Sequence, residues 1–139
     1  MCIRDSPKRL AQGIEQNRLS LLLAVLQRHG GLAIGPEDVF VNVVGGLRIS
    51  ETAVDLPVLL AIVSSFRDKS LRSGLVCFGE IGLAGEIRPV RFGEERIAAA
   101  AKQGFTQAIV PASNAPKKAP DGIEVVGLKR VREVLEQAF

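Results

Sequence analysis

Apolar residues recur along this chain first at helical and then at strand spacing. Leu19, Leu22, Leu23 and Leu26 fall three and four residues apart, with Arg18 and Arg28 on other faces. That pattern predicts a helix over 16–29, ended by Gly30 and Gly31. Residues 38–49, DVFVNVVGGLRI, are nearly all β-branched or apolar and predict a strand buried on much of both faces. Its glycine pair marks a bulge or a close backbone approach. A second apolar helix is expected over 55–67, with Asp55 as N-cap and Pro57 in the first turn, where a missing N–H costs little.

The segments LVCFGEI and EIRPV read as a hairpin turning through Gly82-Leu83-Ala84-Gly85. An alanine-rich helix over 94–102, stopped by Gly104, precedes a strand over 105–111. The proline-punctuated stretch ASNAPKKAPDG is a surface loop. A short strand over 123–127 follows, then a last amphipathic helix built on Leu128, Val131, Val134, Leu135 and Ala138. Helices and strands alternate, so the expected class is α/β, an α+β sandwich.

Composition narrows the picture. At 139 residues, 47% hydrophobic and 24% charged, the chain is expected to fold as one domain over residues 7–139. The opening MCIRDS differs from the text that follows and is expected to be a non-native or fragment-derived leader over 1–6. It has no apolar core of a signal peptide. Six Phe with no Trp or Tyr leave the core to aliphatic side chains and argue against base-stacking on aromatic platforms. The net charge of +3 is compatible with a phosphate-facing surface. No apolar run approaches the ~18 residues of a membrane span. Cys2 and Cys77 lie far apart, with Cys77 in an apolar strand, which predicts a buried, reduced thiol and a cytoplasmic setting. One His and no CxxC exclude a zinc site.

Catalytic motifs are missing. Nothing matches the phosphate-binding loop GxxxxGK[ST] or the GxSxG elbow. His29 sits in the last turn of a predicted helix, where it meets the helix C-terminus and solvent. Glu80 and Glu86, on the arms of one hairpin, read as exposed carboxylates rather than an acid–base pair. The basic residues Arg88, Arg91, Lys117, Lys118, Lys129, Arg130 and Arg132 contact several phosphates if they converge, and otherwise form a solvated surface.

Five stretches together carry a family resemblance: NRLSLLLAVLQRHGG (17–31), DVFVNVVGGLRISET (38–52), FGEIGLAGEIRPV (78–90), ERIAAAAKQGF (95–105) and AIVPASNAPKKAP (108–120). From Pro7 onward the chain resembles the C-terminal domain of the RadA (Sms) family of bacterial DNA-repair proteins. The resemblance implies a Lon-peptidase-like fold, related to the ribosomal-protein-S5 domain 2 fold. It also implies hexameric rings, DNA and recombination proteins as partners, and no membrane. A zinc finger and a RecA-like ATPase would precede this domain, so ATP, Mg and Zn are expected only in those absent parts.

The same resemblance exposes a departure. Laid on the Lon peptidase pattern, Ala53 stands at the nucleophilic serine and Glu94 at the lysine. A Ser-Lys dyad needs an oxygen to deprotonate and an amine to accept the proton. Alanine supplies no oxygen, and glutamate reverses the charge. The nearest hydroxyl is Thr52, and no Lys lies between Lys69 and Lys102. A residual peptidase would have to use Thr52 with a distant base. The expected role is therefore a non-catalytic hexamer scaffold with a sequence-independent DNA-binding surface. Arg88, Arg91, Lys117, Lys118, Lys129 and Arg130 are its candidate contacts, and intersubunit ion pairs are the other use open to them. The remaining alternative is an interaction module that regulates a partner ATPase without touching DNA.

Overall fold

The structure, a computed structural model, describes residues 6–139. Residues 1–5 of the expected leader, Cys2 among them, lie outside the described residues.

The chain opens with a strand that the hydrophobic pattern did not reveal, β1 (Arg9–Gln12). Helix α1 (Gln16–His29) follows with the expected bounds. It buries Leu19, Leu22, Leu23, Val25 and Leu26, the apolar face its spacing called for. Strand β2 (Val39–Asn42) pairs in parallel with β1, in the register Arg9↔Val39 to Gln12↔Asn42.

The long strand expected over 38–49 is thus cut to four residues, and it is not buried on both faces. Val39 and Val41 turn inward while Phe40 is 62% exposed, because a two-stranded sheet has only one face against helices. Gly45 and Gly46, with φ of 89° and 71°, form neither a bulge nor a close approach. They are the tip of a tight turn whose central residues both need positive φ.

A 3-10 turn (Thr52–Val54) leads into α2 (Asp55–Arg67). The helix has the expected bounds, but Asp55 is its first helical residue rather than its N-cap, which is Val54. The Asp55 carboxylate is directed to Arg18 and to the backbone N–H of Ile81 instead.

The next strands divide differently from the single hairpin expected. β3 (Leu75–Cys77) leaves the hairpin and joins β6 (Gln107–Pro111) and β7 (Glu124–Leu128) in a parallel sheet of order β3-β6-β7. Only β4 (Glu80–Ile81) and β5 (Ile87–Arg88) pair antiparallel across the glycine turn. Helix α3 (Gly93–Lys102) connects β5 to β6, and α4 (Val131–Gln137) follows β7.

The parallel sheet separates two cores. Cys77, Ile109 and Val126 are in register and face a large core filled by α1, α2 and α4. Val76, Ala108 and Val125 face the other way, onto Ile97 and Ala100 of α3. Burial on both faces is why β6 reads as an unbroken apolar run. The result is a mixed α/β architecture with parallel sheets. Among the described residues no helix is long and apolar enough to cross a membrane.

Candidate functional site

The three strands of the β3-β6-β7 sheet run in one direction, so the segments that follow them leave from one edge. In open α/β sheets that edge is where loops gather into sites. Here those segments are 78–79 with the β4–β5 hairpin, 112–118, and 129–130. Helix α3 returns antiparallel to the strands and brings its first turn to the same edge.

The hairpin is bound to the start of α4. The Ile87 N–H donates to the Lys129 carbonyl at 2.9 Å, and the Val131 N–H donates to the Gly85 carbonyl at 2.9 Å. Arg130 Nη1 donates to the Ala84 carbonyl at 3.0 Å. Glu133 turns back to accept the N–H groups of Lys129 and Arg130, satisfying donors that the helix leaves free. His29, at the end of α1, does more than meet solvent. Its ring lies so close to Gly85 that a Cβ there would sit 2.8 Å from it.

The opposite side of the edge is held by Asn114. Its Oδ1 accepts the Val90 N–H at 2.8 Å and its Nδ2 donates to the Val90 carbonyl at 2.9 Å. Gly93 passes beneath this clamp, where a Cβ would meet Asn114 atoms at 2.5–2.9 Å. Arg96 links α3 to the turn that carries Ala53: it donates to the Arg91 carbonyl at 2.9 Å and pairs with Glu51. Its guanidinium lies 5.8 Å from the centre of the Phe78 ring. Sequence reasoning singled out neither Arg96 nor Asn114, because nothing local distinguishes an arginine on a charged helix or an asparagine in a loop.

The candidate basic residues fall into two groups on this edge. Arg88, Lys129 and Arg130 sit where the hairpin meets α4. Arg91, Lys117 and Lys118 lie on the side of α3 and the 112–118 segment, linked to the first group through the Val90–Asn114 clamp. All six are exposed. They are not equally free. Arg88 pairs with Glu86 at 3.3 Å and reaches Glu80 at 4.0 Å. Arg130 is engaged with Ala84, whereas Lys117, Lys118, Lys129 and Arg91 make no ion pair within 4 Å among the described residues. Glu86 is held below the usual carboxylate range by its own backbone N–H, with help from Arg88 and the Ala84 N–H.

The two positions matched to the peptidase dyad have unlike settings. Ala53 is 3% exposed, and its carbonyl accepts the Gly79 N–H at 2.9 Å. Glu94 is exposed at the start of α3 and lines a groove of about 650 Å³ with Lys117, Lys118 and Pro116.

A sequence model of the family described as "Subunit ChlI of Mg-chelatase" matches residues 3–114. The chain belongs to this family. The ChlI match runs from before β1 to Asn114 of the clamp, and leaves out Lys117, Lys118, β7 and α4. Individual relatives extend the similarity further. The chain is 61% identical over 130 residues to DNA repair protein RadA of Escherichia coli (strain K12), covering 94% of this chain and 28% of that protein. It is 50% identical over 134 residues to DNA repair protein RadA of Pseudomonas aeruginosa, and 44% identical over 135 residues to that of Bacillus subtilis (strain 168). In each of these two, 96% of this ChlI-family chain aligns with 30% of the relative. The chain thus spans less than a third of the length of these relatives.

Proposed function

We propose that this chain is a non-catalytic, Lon-peptidase-like domain of a RadA-type DNA-repair protein, serving as a hexamer scaffold and a sequence-independent DNA-binding surface. The observation that carries this reading is the 61% identity to a DNA repair protein along 94% of the chain. The lack of a side-chain oxygen at Ala53 supports a role without peptide hydrolysis, because the dyad has no atom from which to take a proton. ATP, Mg and Zn chemistry then belongs to other parts of a longer protein, and a cytoplasmic location suits such a role.

DNA contact would fall mainly on Lys117, Lys118, Lys129 and Arg91, whose charges are not already paired. Such binding neutralises phosphates and releases counterions, so it weakens steeply with salt. The deciding experiment titrates a labelled fork DNA with this chain by fluorescence anisotropy at several salt concentrations, alongside light-scattering mass. Ring-sized particles and a log–log salt slope of several units are expected. A strict monomer that binds no DNA at low salt overturns the reading. A ring that binds no DNA leaves the scaffold alone. The interaction-module reading draws on Arg88 and Arg130, whose engagement within the domain makes part of the basic surface structural.

A further inference from the structure

Opposite charges line one groove without pairing. Glu94 and Glu95, in the first turn of α3, share a groove of about 650 Å³ with Lys117 and Lys118. All four are exposed, yet no ion pair within 4 Å joins them among the described residues. Both carboxylates suit the start of a helix, whose free N–H groups attract negative charge. A lysine ammonium rides on a long, flexible stem and would ordinarily swing onto such a target. The backbone that carries the lysines must therefore be held back.

Three features restrain it. Pro116 and Pro120 bracket the lysines, and each fixes its own φ. Gly127 of β7 lets the segment lie flush on the sheet, since a Cβ there would meet Ala115 and Ala112 at 3.0–3.1 Å. The third is the Asn114 amide, which grips the Val90 N–H and carbonyl at 2.8 and 2.9 Å. An amide that accepts from and donates to one residue fixes orientation as well as separation. Val90 leads through Arg91 into α3, so this clamp ties the lysine segment to the chain that carries the glutamates. It sets the width of the groove.

We propose that Asn114 is a positioning residue for DNA phosphate: its clamp on Val90 keeps Lys117 and Lys118 off Glu94 and Glu95, so both ammonium groups stay available to DNA. This rests on the DNA-binding reading of the sheet edge and adds roles for Asn114, Glu94 and Glu95. Without the clamp the segment closes on α3, and the lysines neutralise glutamates instead of phosphates. Glu94 and Glu95 are internal competitors, and Asn114 sets their distance. Exposed ion pairs are individually weak, so the clamp tunes affinity and does not create it.

The test titrates the labelled fork DNA with this chain and its variants by anisotropy at low salt. Asn114→Ala should weaken binding roughly fivefold, the scale of exposed charge pairs. Glu94→Gln combined with Glu95→Gln should remove most of that loss, because the lysines then have no carboxylate to close upon. Gly93→Ala reaches the clamp from the other side, where its Cβ displaces the Asn114 amide, and should weaken binding in the same way. Thermal melts verify that each variant is folded. Unchanged affinity in either folded variant, Asn114→Ala or Gly93→Ala, overturns the proposal. So does an equal loss from Asn114→Ala with and without the two glutamates, since non-coupled effects would make its role purely structural. If the unmutated chain binds no DNA at low salt, the DNA-binding reading falls together with this one. That outcome is distinct from a chain that binds DNA and is indifferent to Asn114.

Discussion

Arg18 on α1 and Asp55 at the start of α2 form an ion pair across the seam between the two helices. Asp55 is 2% exposed and also accepts the Ile81 N–H at 3.0 Å, so one carboxylate joins α1, α2 and β4. All of its visible partners are donors, as a buried carboxylate requires.

The pair is asymmetric, and its two halves should differ in cost. Arg18→Met leaves Asp55 buried with a single backbone donor and should destabilise by about 3–5 kcal/mol. Asp55→Ala leaves an arginine side chain that is 29% exposed and can turn to water. The orphaned Ile81 N–H then dominates, at about 1–3 kcal/mol. Urea unfolding of both variants tests the order. A larger loss for Asp55→Ala would mean that Arg18 is more desolvated than its exposure indicates.

If the edge of the β3-β6-β7 sheet binds DNA, its arginines and lysines should contribute unequally. Replacing Lys117 and Lys118 together by Glu should lower the log–log salt slope by roughly 2, about 0.9 for each phosphate that is no longer neutralised. Arg88→Glu should change it less, because Arg88 already serves Glu80 and Glu86. Equal reductions in anisotropy titrations would return Arg88 to the interface.

Cys77 makes stability fall on the alkaline side. Burial pushes its thiol up to about 12 from 9.0. Below pH 9 both folded and unfolded chains hold the proton, and the stabilisation is complete. Between about 9 and 12 the unfolded chain releases the proton while the folded chain keeps it, so stability declines as pH rises. Urea midpoints at about pH 8 and 10.5, measured in a Cys2→Ser background, should fall further with Cys77 present than in Cys77→Ala. Identical declines would show that other groups account for the slope.

Phe92 holds a left-handed backbone, φ 60°, just before α3, and the residue is 68% exposed. Left-handed geometry costs a side-chain-bearing residue about 1–2 kcal/mol, and here little packing offsets it. Phe92→Gly should therefore be neutral or raise stability by about 0.5–1 kcal/mol, after the greater freedom that glycine gives the unfolded chain. Thermal melts decide this. A clear loss would show that the Phe92 ring packs on its surroundings more than its exposure suggests.

Much of this fold was legible locally. The leucine spacing in α1 and the apolar run of α2 set both helices to within a residue, since helical periodicity is a property of neighbours. Gly82 and Gly85 marked the β4–β5 turn for the same reason. Strand β1 was not legible: Arg-Leu-Ala-Gln has weak strand character, and it exists because β2, thirty positions on, lies beside it. The candidate site was half legible. The basic residues could be named from sequence, but not which of them were already paired.

By itself, the sequence determined the helices, the glycine turns and the alternation that makes this an α/β chain. Each depends on residues close together in the chain or on the chemistry of one side chain. Tertiary structure alone decided that LVC pairs with β6 rather than with the hairpin, and that Asp55 serves Arg18 and Ile81 instead of capping its helix. It also decided that Arg88 is spent on Glu80 and Glu86. Parallel pairing and buried ion pairs both depend on which distant segment reaches a given donor or acceptor. No local pattern records that competition.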